Sequence, residues 1–356
     1  MSEFRRNIKG RGASSDPQQR FQALHTKAEP NEADEYTAEA DKPLLRTEFI
    51  RDTSKSVVTE NQSPDIPFTY SVNPYRGCEH GCAYCYARPT HEYLGYSAGL
   101  DFESKIMVKE DAPDLLRHKL MSKSWTGEYI MFSGNTDCYQ PIERKLQITR
   151  KCLEVMAHFK NPFGIITKNS LVTRDIDIIS EMAKLNAATV VISVTSLDEN
   201  LCRDLEPRTA RPQARLRTIE TLAKAGIPVG VNVSPVIPGL NDMEVPKILK
   251  AARAAGATFA GTQPVRLPLA VAPIFEEWLS VHRPERKEKI LELIRDIRGG
   301  KMNDPRFGSR FKGEGPVAAN LRQMFEIYAR KEGFNLKRKP LSSAHFCRPG
   351  DQLSLL

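Results

Sequence analysis

No apolar run in this chain of 356 residues is long enough to cross a membrane. The longest, such as Ala187 to Val194, are strand-sized, against the 18 or more residues that a span requires. No apolar core follows the charges of Met1, Ser2, Glu3, Phe4, Arg5 and Arg6, as a secretory leader needs. The sequence therefore reads as a soluble, cytoplasmic protein without a membrane partner. An internal repeat is also lacking, and so is a disulfide framework. The seven cysteines, at 78, 82, 85, 138, 152, 202 and 347, are odd in number, with three crowded into eight residues. Stapled secreted domains show even, spread cysteines; this pattern reads as reduced thiols with one metal site. Apolar residues make up 40% and charged residues 27%, as when a core is diluted by polar segments. Lysine and arginine (52) outnumber aspartate and glutamate (44), and the net charge of +8 permits a polyanionic partner without requiring one.

Three regions and a short tail are expected. Residues 1–65 read as a disordered N-terminal tail: six acids and no base lie between Glu29 and Asp41, Pro30, Pro43 and Pro64 interrupt it, and apolar periodicity is poor. From 66 to 270, short β-rich runs alternate with amphipathic stretches. The strands expected are Phe68–Val72, Tyr129–Phe132, Gly164–Thr167, Thr189–Val194, Val229–Val233 and Thr258–Gly261; the helices are Ala112–Met121, Glu143–Phe159, Asp175–Leu185, Arg215–Ala225 and Val245–Ala254. Six β-then-α units predict an α/β fold with a parallel sheet, too few for a complete eight-fold barrel, with its chemistry at the carboxyl ends of the strands. Residues 271–348 read as helical and basic, with eleven Lys or Arg against four acids between Lys301 and Arg348, a net +7. Residues 349–356 read as a tail behind the breaker Pro349-Gly350-Asp351.

The strongest chemical signal is Cys78, Cys82 and Cys85, a C-x3-C-x2-C run in Arg76-Gly77-Cys78-Glu79-His80-Gly81-Cys82-Ala83-Tyr84-Cys85-Tyr86. It follows the first expected strand, so it belongs to a βα loop at the active-site end. Such spacing lets one loop present three thiolates, and Gly77 and Gly81 permit a tight backbone path. Four irons held by three thiolates leave one iron open to bind something else. Zinc completed by His80 or His91, or simple burial of the thiols, are the alternatives, although structural zinc sites pair two cysteine knuckles and no second knuckle is present. His91-Glu92 is a further candidate for acid–base work.

This motif, with the aromatic Tyr84 before its last cysteine, resembles the radical S-adenosylmethionine (radical SAM) superfamily. The resemblance implies a partial (β/α)6 TIM-like barrel and a [4Fe–4S] cluster on Cys78, Cys82 and Cys85. It further implies S-adenosyl-L-methionine (SAM) on the open iron, a 5′-deoxyadenosyl radical as the reactive species, and an electron donor such as flavodoxin or ferredoxin. It points to the glycine-containing turn after the second strand, Gly134, Asn135, Thr136 and Asp137, as a SAM contact. Lys168, Ser193, Thr195, Arg208 and Asn232, at or after later strand ends, fit as further cofactor-binding groups beside Tyr84. Within the superfamily, N-T-D-x-Y-Q-P-x-E at 135–143, L-E-P-R at 205–208 and S-P-V-I-P-G-L-N-D at 234–242 resemble the spore photoproduct lyase-like, "DNA repair photolyase" group. That similarity implies DNA as a partner and a lyase-like repair reaction. In it Cys138 donates a hydrogen atom and Tyr139 relays the radical; packing of Cys138 as a small hydrophobe is the alternative. Cys152 and Cys202 read as core thiols on helices.

Substrate class stays open between DNA and RNA, a protein or a small molecule, with a non-enzymatic zinc-bearing nucleic-acid binder as a third reading. Phe307, Phe311, Phe325, Tyr328 and Phe334, interleaved with the C-terminal bases, suit a phosphate backbone or stacked bases as well as a solvated face over a core. The last five residues, Gln352, Leu353, Ser354, Leu355 and Leu356, resemble the motif by which repair proteins bind the bacterial sliding clamp, which makes the clamp an expected partner.

Overall fold

The computed structural model describes residues 8–21, 45–336 and 340–349; Gln352 to Leu356, the stretch resembling a clamp motif, lie outside them. Among the described residues ten strands follow one another: β1 (Glu48–Arg51), β2 (Val58–Glu60), β3 (Tyr70–Val72), β4 (Tyr75–Arg76), β5 (Lys105–Val108), β6 (Ile130–Phe132), β7 (Phe163–Thr167), β8 (Ala188–Ser193), β9 (Val229–Val236) and β10 (Phe259–Pro264). The main sheet has the order β10-β9-β8-β7-β6-β3-β2. Its first six strands are parallel and β2 is antiparallel to β3. A small second sheet, β1-β5-β4, lies beside it.

The helices are α1 (Leu100–Ser104), α2 (Ala112–Met121), α3 (Glu143–Leu146), α4 (Ile148–His158), α5 (Ile176–Lys184), α6 (Glu199–Leu205), α7 (Pro212–Lys224), α8 (Val245–Ala254), α9 (Val271–His282), α10 (Lys287–Asp296) and α11 (Gly315–Lys331). None is long and apolar enough to cross a membrane among the described residues.

All six parallel strands expected from the sequence form, with ends shifted by a few residues. Their apolar runs are buried because helices cover the sheet, and they fill one continuous core with Phe132, Phe163, Val190, Ile192, Val231 and Val233. Each such side chain contributes about 1.5–3 kcal/mol on burial. The expected helix 143–159 instead breaks at Gln147, which takes a left-handed φ of 53°. Its reason is tertiary: the fully buried Glu143 carboxylate turns back to cap α4, accepting from Thr149 N at 3.0 Å and from the Tyr75 hydroxyl at 2.5 Å.

Two stretches of the expected N-terminal tail carry structure. β1 and β2 lie within it, and residues 11–14 are buried against the barrel. Arg11 donates to the carbonyl of Glu103 at 2.6 Å, while Gly12 N and Ala13 N donate to the Glu103 carboxylate at 3.0 and 2.9 Å. Such docking pairs side chains with backbone groups about ninety residues away and carries no hydrophobic period, so the sequence did not announce it. The C-terminal helices are not a separate layer. Phe275, Trp278, Leu279 and Leu291 of α9 and α10 share a core with Cys82, Ala83 and Tyr84 of the cysteine loop.

Candidate functional site

The cysteine loop leaves β4 at Gly77 and is fastened almost entirely by its backbone. Cys78 N donates to Phe102 O at 2.9 Å and Ala83 N to Leu205 O at 3.0 Å. Gly81 sits at φ +64°, where a Cβ would come within 2.6 Å of the Glu103 carboxylate. Beneath the loop lies a fully buried arginine. Arg88 donates to Cys82 O from Nε at 3.1 Å and Nη2 at 2.9 Å, to Ala98 O and Gly99 O at 3.2 and 2.9 Å, and pairs with Glu103. One ion pair thus holds the loop, the start of α1 and the N-terminal segment together.

Cys78 and Cys82 are nearly enclosed and Cys85 is half-buried. Burial pushes the Cys78 and Cys82 thiols well above their ordinary range, and each is raised further by the Cys85 thiol, which places the three within electrostatic reach of one another. Three soft thiol donors on one loop suit a cluster in which each thiolate takes a different iron, although among the described residues no three His, Cys, Asp or Glu side chains are gathered as they would be around a single metal ion. Of the histidines that a zinc site would enlist, His80 is engaged elsewhere, while both ring nitrogens of His91 are buried without a hydrogen-bond partner among the described residues. His80 lies 3.4 Å from Asp137 and 3.4 Å from the Asn169 amide, and burial holds it neutral, down to about 4. His91 is enclosed between the rings of Tyr96 and Phe102, each 5.5 Å away, and Glu92 pairs with Arg20 at 2.6 Å, so neither is placed for acid–base work.

The turn after β6 clasps this loop. Gln140 accepts from Glu79 N at 2.9 Å and donates to Gly77 O at 3.2 Å; in return Ile142 N donates to the Glu79 carboxylate at 2.7 Å. Asp137 ties the turn to the end of β7, accepting from Thr167 at 2.8 Å and Lys168 N at 2.8 Å. Thr136 donates to Tyr75 O at 2.7 Å. Gly134 earns its place against β3: a Cβ there would lie 2.9 Å from Ser71 Cβ, so sheet packing, and not only ligand approach, demands glycine. Its carbonyl accepts from the half-exposed Tyr86 at 3.0 Å. Asn135 N donates to the Asn73 side chain at 2.9 Å, and of the four turn residues Asn135 alone has a side-chain amide not spent on a described neighbour.

A second buried pair stands across the loop. Glu206 meets Arg215, accepts from Thr195 at 2.6 Å and holds the Tyr84 hydroxyl. Burial alone would raise Glu206, yet Arg215 and Lys168 hold it down, to about 2. Lys168 follows β7 directly, with its ammonium 6.0 Å from the Tyr84 ring centre; burial opposes its charge, but Cys82 and Glu206 keep it above the usual lysine range. No carboxylate of the described residues pairs with it at contact distance. Arg208, in contrast, pairs with Glu79 at 3.2 Å and donates to Thr47 at 3.3 Å. Ser193 and Asn232 lie side by side in register on β8 and β9. Asn241, in the motif after β9, donates to Thr195 O at 2.7 Å and to Pro235 O at 3.0 Å, closing that turn onto the end of β8.

Sequence reasoning missed Arg88, Glu103, Gln140, Glu206, Arg215 and Asn241. Three of them, Gln140, Glu206 and Asn241, stand inside the motifs already singled out, one residue from Tyr139, two from Arg208 and nine from Asn232 respectively.

Cys138 and Tyr139 are not brought to the site. Both side chains are wholly enclosed in the main core, and the Tyr139 hydroxyl donates to Asp175 at 2.9 Å. Cys138 N donates to Ser133 and its carbonyl accepts from Thr149 at 2.6 Å, so the residue serves the turn through its backbone. Here the enclosed thiol packs against the core as a small apolar group. Cys138→Ala is therefore expected to cost about 1 kcal/mol of stability, as removal of one buried heavy atom does, and to leave SAM cleavage and product distribution unchanged. Urea denaturation and product analysis check this; a diverted product would restore Cys138 as a hydrogen donor.

Comparison with known proteins gives a consistent picture. The family model described as the radical SAM superfamily matches residues 72–252. An uncharacterised protein of Mycobacterium tuberculosis is 38% identical over 232 residues, covering 65% of this chain and 68% of its own. The radical SAM Nalpha-GlyT isomerase of Pseudomonas phage M6 is 26% identical over 235 residues, 64% of this chain and 46% of that protein. Among solved structures, spore photoproduct lyase complexed with dinucleoside spore photoproduct superposes with a TM-score of 0.58 at 15% identity over 80% of each chain, a likeness of fold.

Proposed function

This chain belongs to the radical SAM superfamily, and from that premise we propose that it is a lyase-like enzyme that acts on DNA, in lesion repair, by way of a [4Fe–4S] cluster and SAM. The observation that carries the reading is the loop of Cys78, Cys82 and Cys85 at the carboxyl end of a sheet of six parallel strands. A cluster held by Cys78, Cys82 and Cys85 would supply, when bound, one-electron cleavage of an S–C bond of SAM, giving methionine and a 5′-deoxyadenosyl radical able to take a hydrogen atom from the substrate.

The residues of the chain hold and orient. Cys78, Cys82 and Cys85 are the three thiolate ligands. Lys168, a cation without a carboxylate at contact distance, suits the carboxylate of SAM, and the unspent Asn135 side-chain amide, with Ser193 and Asn232 on neighbouring strands, suits its remaining polar groups. Tyr84 and Thr195 are fixed by Glu206 and so form the wall between loop and strand. Arg208 acts from outside this set, as a brace on Glu79.

DNA as substrate is supported by the dinucleoside ligand of the fold neighbour and by the basic C-terminal region. The test is to reconstitute the protein anaerobically and incubate it with SAM, a reductant and ultraviolet-damaged DNA deuterated in its thymine methyl and sugar positions. Deuterium is expected in 5′-deoxyadenosine. SAM cleavage without label from any DNA would overturn the DNA substrate and leave the radical chemistry standing; no cleavage at all would overturn both.

A further inference from the structure

Two residues beyond β10, at the carboxyl end of the last parallel strand, stands an arginine with no anion. No carboxylate of the described residues pairs with Arg266, and its Nε is buried without an acceptor. The guanidinium lies over the Phe311 ring at 4.7 Å. Arg310 lies over the same ring at 5.0 Å and over Phe307 at 4.5 Å, and is itself held by Asp65 at 2.7 Å. Arg298, buried nearby, spends its donors on the carbonyls of Arg310, Pro264 and Val265 at 2.7, 3.2 and 2.5 Å. The nearest other acid, Asp304, is engaged by Arg306 at 2.9 Å. Two guanidinium groups therefore share one ring with a third buried nearby, and Asp65 is the single direct carboxylate partner of the three among the described residues; their repulsion shows, since burial and Arg310 hold Arg266 below its usual range, while burial and Arg266 bring Arg298 down to about 10. A charge kept partly out of water without a counter-ion is costly unless an anion completes it.

This patch adjoins the proposed reaction site. Arg266 lies within electrostatic reach of Tyr86, which is itself within reach of Cys85 and Lys168. Away from the site, the segment 298–314 carries five Lys or Arg against two acids, with Lys301, Arg306 and Lys312 exposed. Phe307 presents 63% of its surface to solvent at the outer end. A planar guanidinium fork needing an anion, further cations running outward and an exposed ring between them match the repeat of a nucleic-acid strand, phosphate then base, better than a lone small anion.

We infer that Arg266, stacked on Phe311, grips a phosphodiester of a single-stranded or splayed nucleic-acid segment whose neighbouring base stacks on Phe307, so that the strand enters beside Tyr86. The inference rests on the reading that the enzyme acts on DNA and supplies the surface that holds the strand.

The test uses the full-length reconstituted protein and a fluorescent single strand of about 12 nucleotides, within the site size such surfaces span, offered as DNA and as RNA. Arg266→Gln is expected to weaken DNA binding at least tenfold and Phe307→Ala severalfold. Lys312→Ala should reduce the slope of log affinity against log salt by about one. Iron content and SAM cleavage without substrate should stay at the wild-type level in all three. Unchanged DNA affinity in Arg266→Gln and Phe307→Ala overturns the platform and leaves the DNA reading intact. Wild-type protein that binds neither strand overturns both. Preference for RNA through the same residues supports the platform and overturns DNA as substrate. Loss of iron or of substrate-free SAM cleavage in Arg266→Gln assigns Arg266 to the cofactor site and overturns the proposal, and Phe307→Ala, at an exposed ring, decides the matter should Arg266→Gln fail to fold.

Discussion

Cys82→Ala is expected to give a folded protein that holds no cluster and cleaves no SAM. The fold should survive because the loop is fastened through its main chain: Arg88 grips the carbonyl of Cys82, Ala83 N reaches Leu205, and Cys78 N reaches Phe102. Alanine at 82 keeps all of these, and keeps an apolar side chain in the shared core of α9 and α10. What goes is one of three thiolates, and with it the iron it would carry. Absorbance near ~400 nm and bound iron should fall to background after anaerobic reconstitution. The melting temperature should drop by only a few degrees, about 2–4 °C per kcal/mol in a chain of this size. Cys152→Ala is the matched control, since Cys152 is a buried thiol on α4 in the main core; it should lose comparable stability and no iron. Full iron in the Cys82 variant, or none in the Cys152 variant, would refute the assignment of ligands.

The six parallel strands were legible because each is a short apolar run bounded by polar turns, a pattern that burial on both faces imposes. The three metal thiols were legible because their spacing is local. What escaped the reading is non-local charge. Arg88 and Glu103 lie fifteen residues apart and look like ordinary surface residues, yet both are fully buried and paired. Within L-E-P-R, the arginine is the ligand group expected from the sequence, whereas Glu206, two residues before it, forms the hub and Arg208 braces Glu79. The motif N-T-D-x-Y-Q-P-x-E is equally structural: Asp137 ties β7, Gln140 clasps the cysteine loop and Glu143 caps α4, three separate fastenings in seven residues. Such a motif marks a site by the precision its surroundings need, and its own side chains need not touch substrate. Gly134 shows the same ambiguity, since close approach to Ser71 and close approach to a ligand ask for the same residue.

Arg215→Ala should produce the largest loss of stability of any single substitution considered, about 3–5 kcal/mol, the range for breaking one side of a buried ion pair. Arg215 is fully enclosed on α7 and donates to Ala210 O at 2.8 Å, Ser193 O at 3.1 Å and Thr209 Oγ1 at 2.6 Å, besides Glu206. Without it Glu206 keeps the Tyr84 and Thr195 hydroxyls and the more distant Lys168, too little to offset burial. The dependence on pH separates this from simple loss of packing. In the wild type Glu206 is held at about 2, below its ordinary 4.5, so its contribution is complete above pH 4.5 and fades as pH falls toward 2. In Arg215→Ala burial dominates and raises Glu206 above its unfolded value, so acid relieves the variant by neutralising the carboxylate. The gap between the two proteins should therefore be widest near pH 7 and narrow by about pH 5, measured as urea midpoints at a common slope. Glu206→Gln in the Arg215→Ala background should recover part of the loss and remove the pH dependence, because no buried charge is left. A gap of equal size at both pH values, or one below about 1 kcal/mol at neutrality, would show that Arg215 acts through its carbonyl contacts alone and that Glu206 does not depend on it for charge.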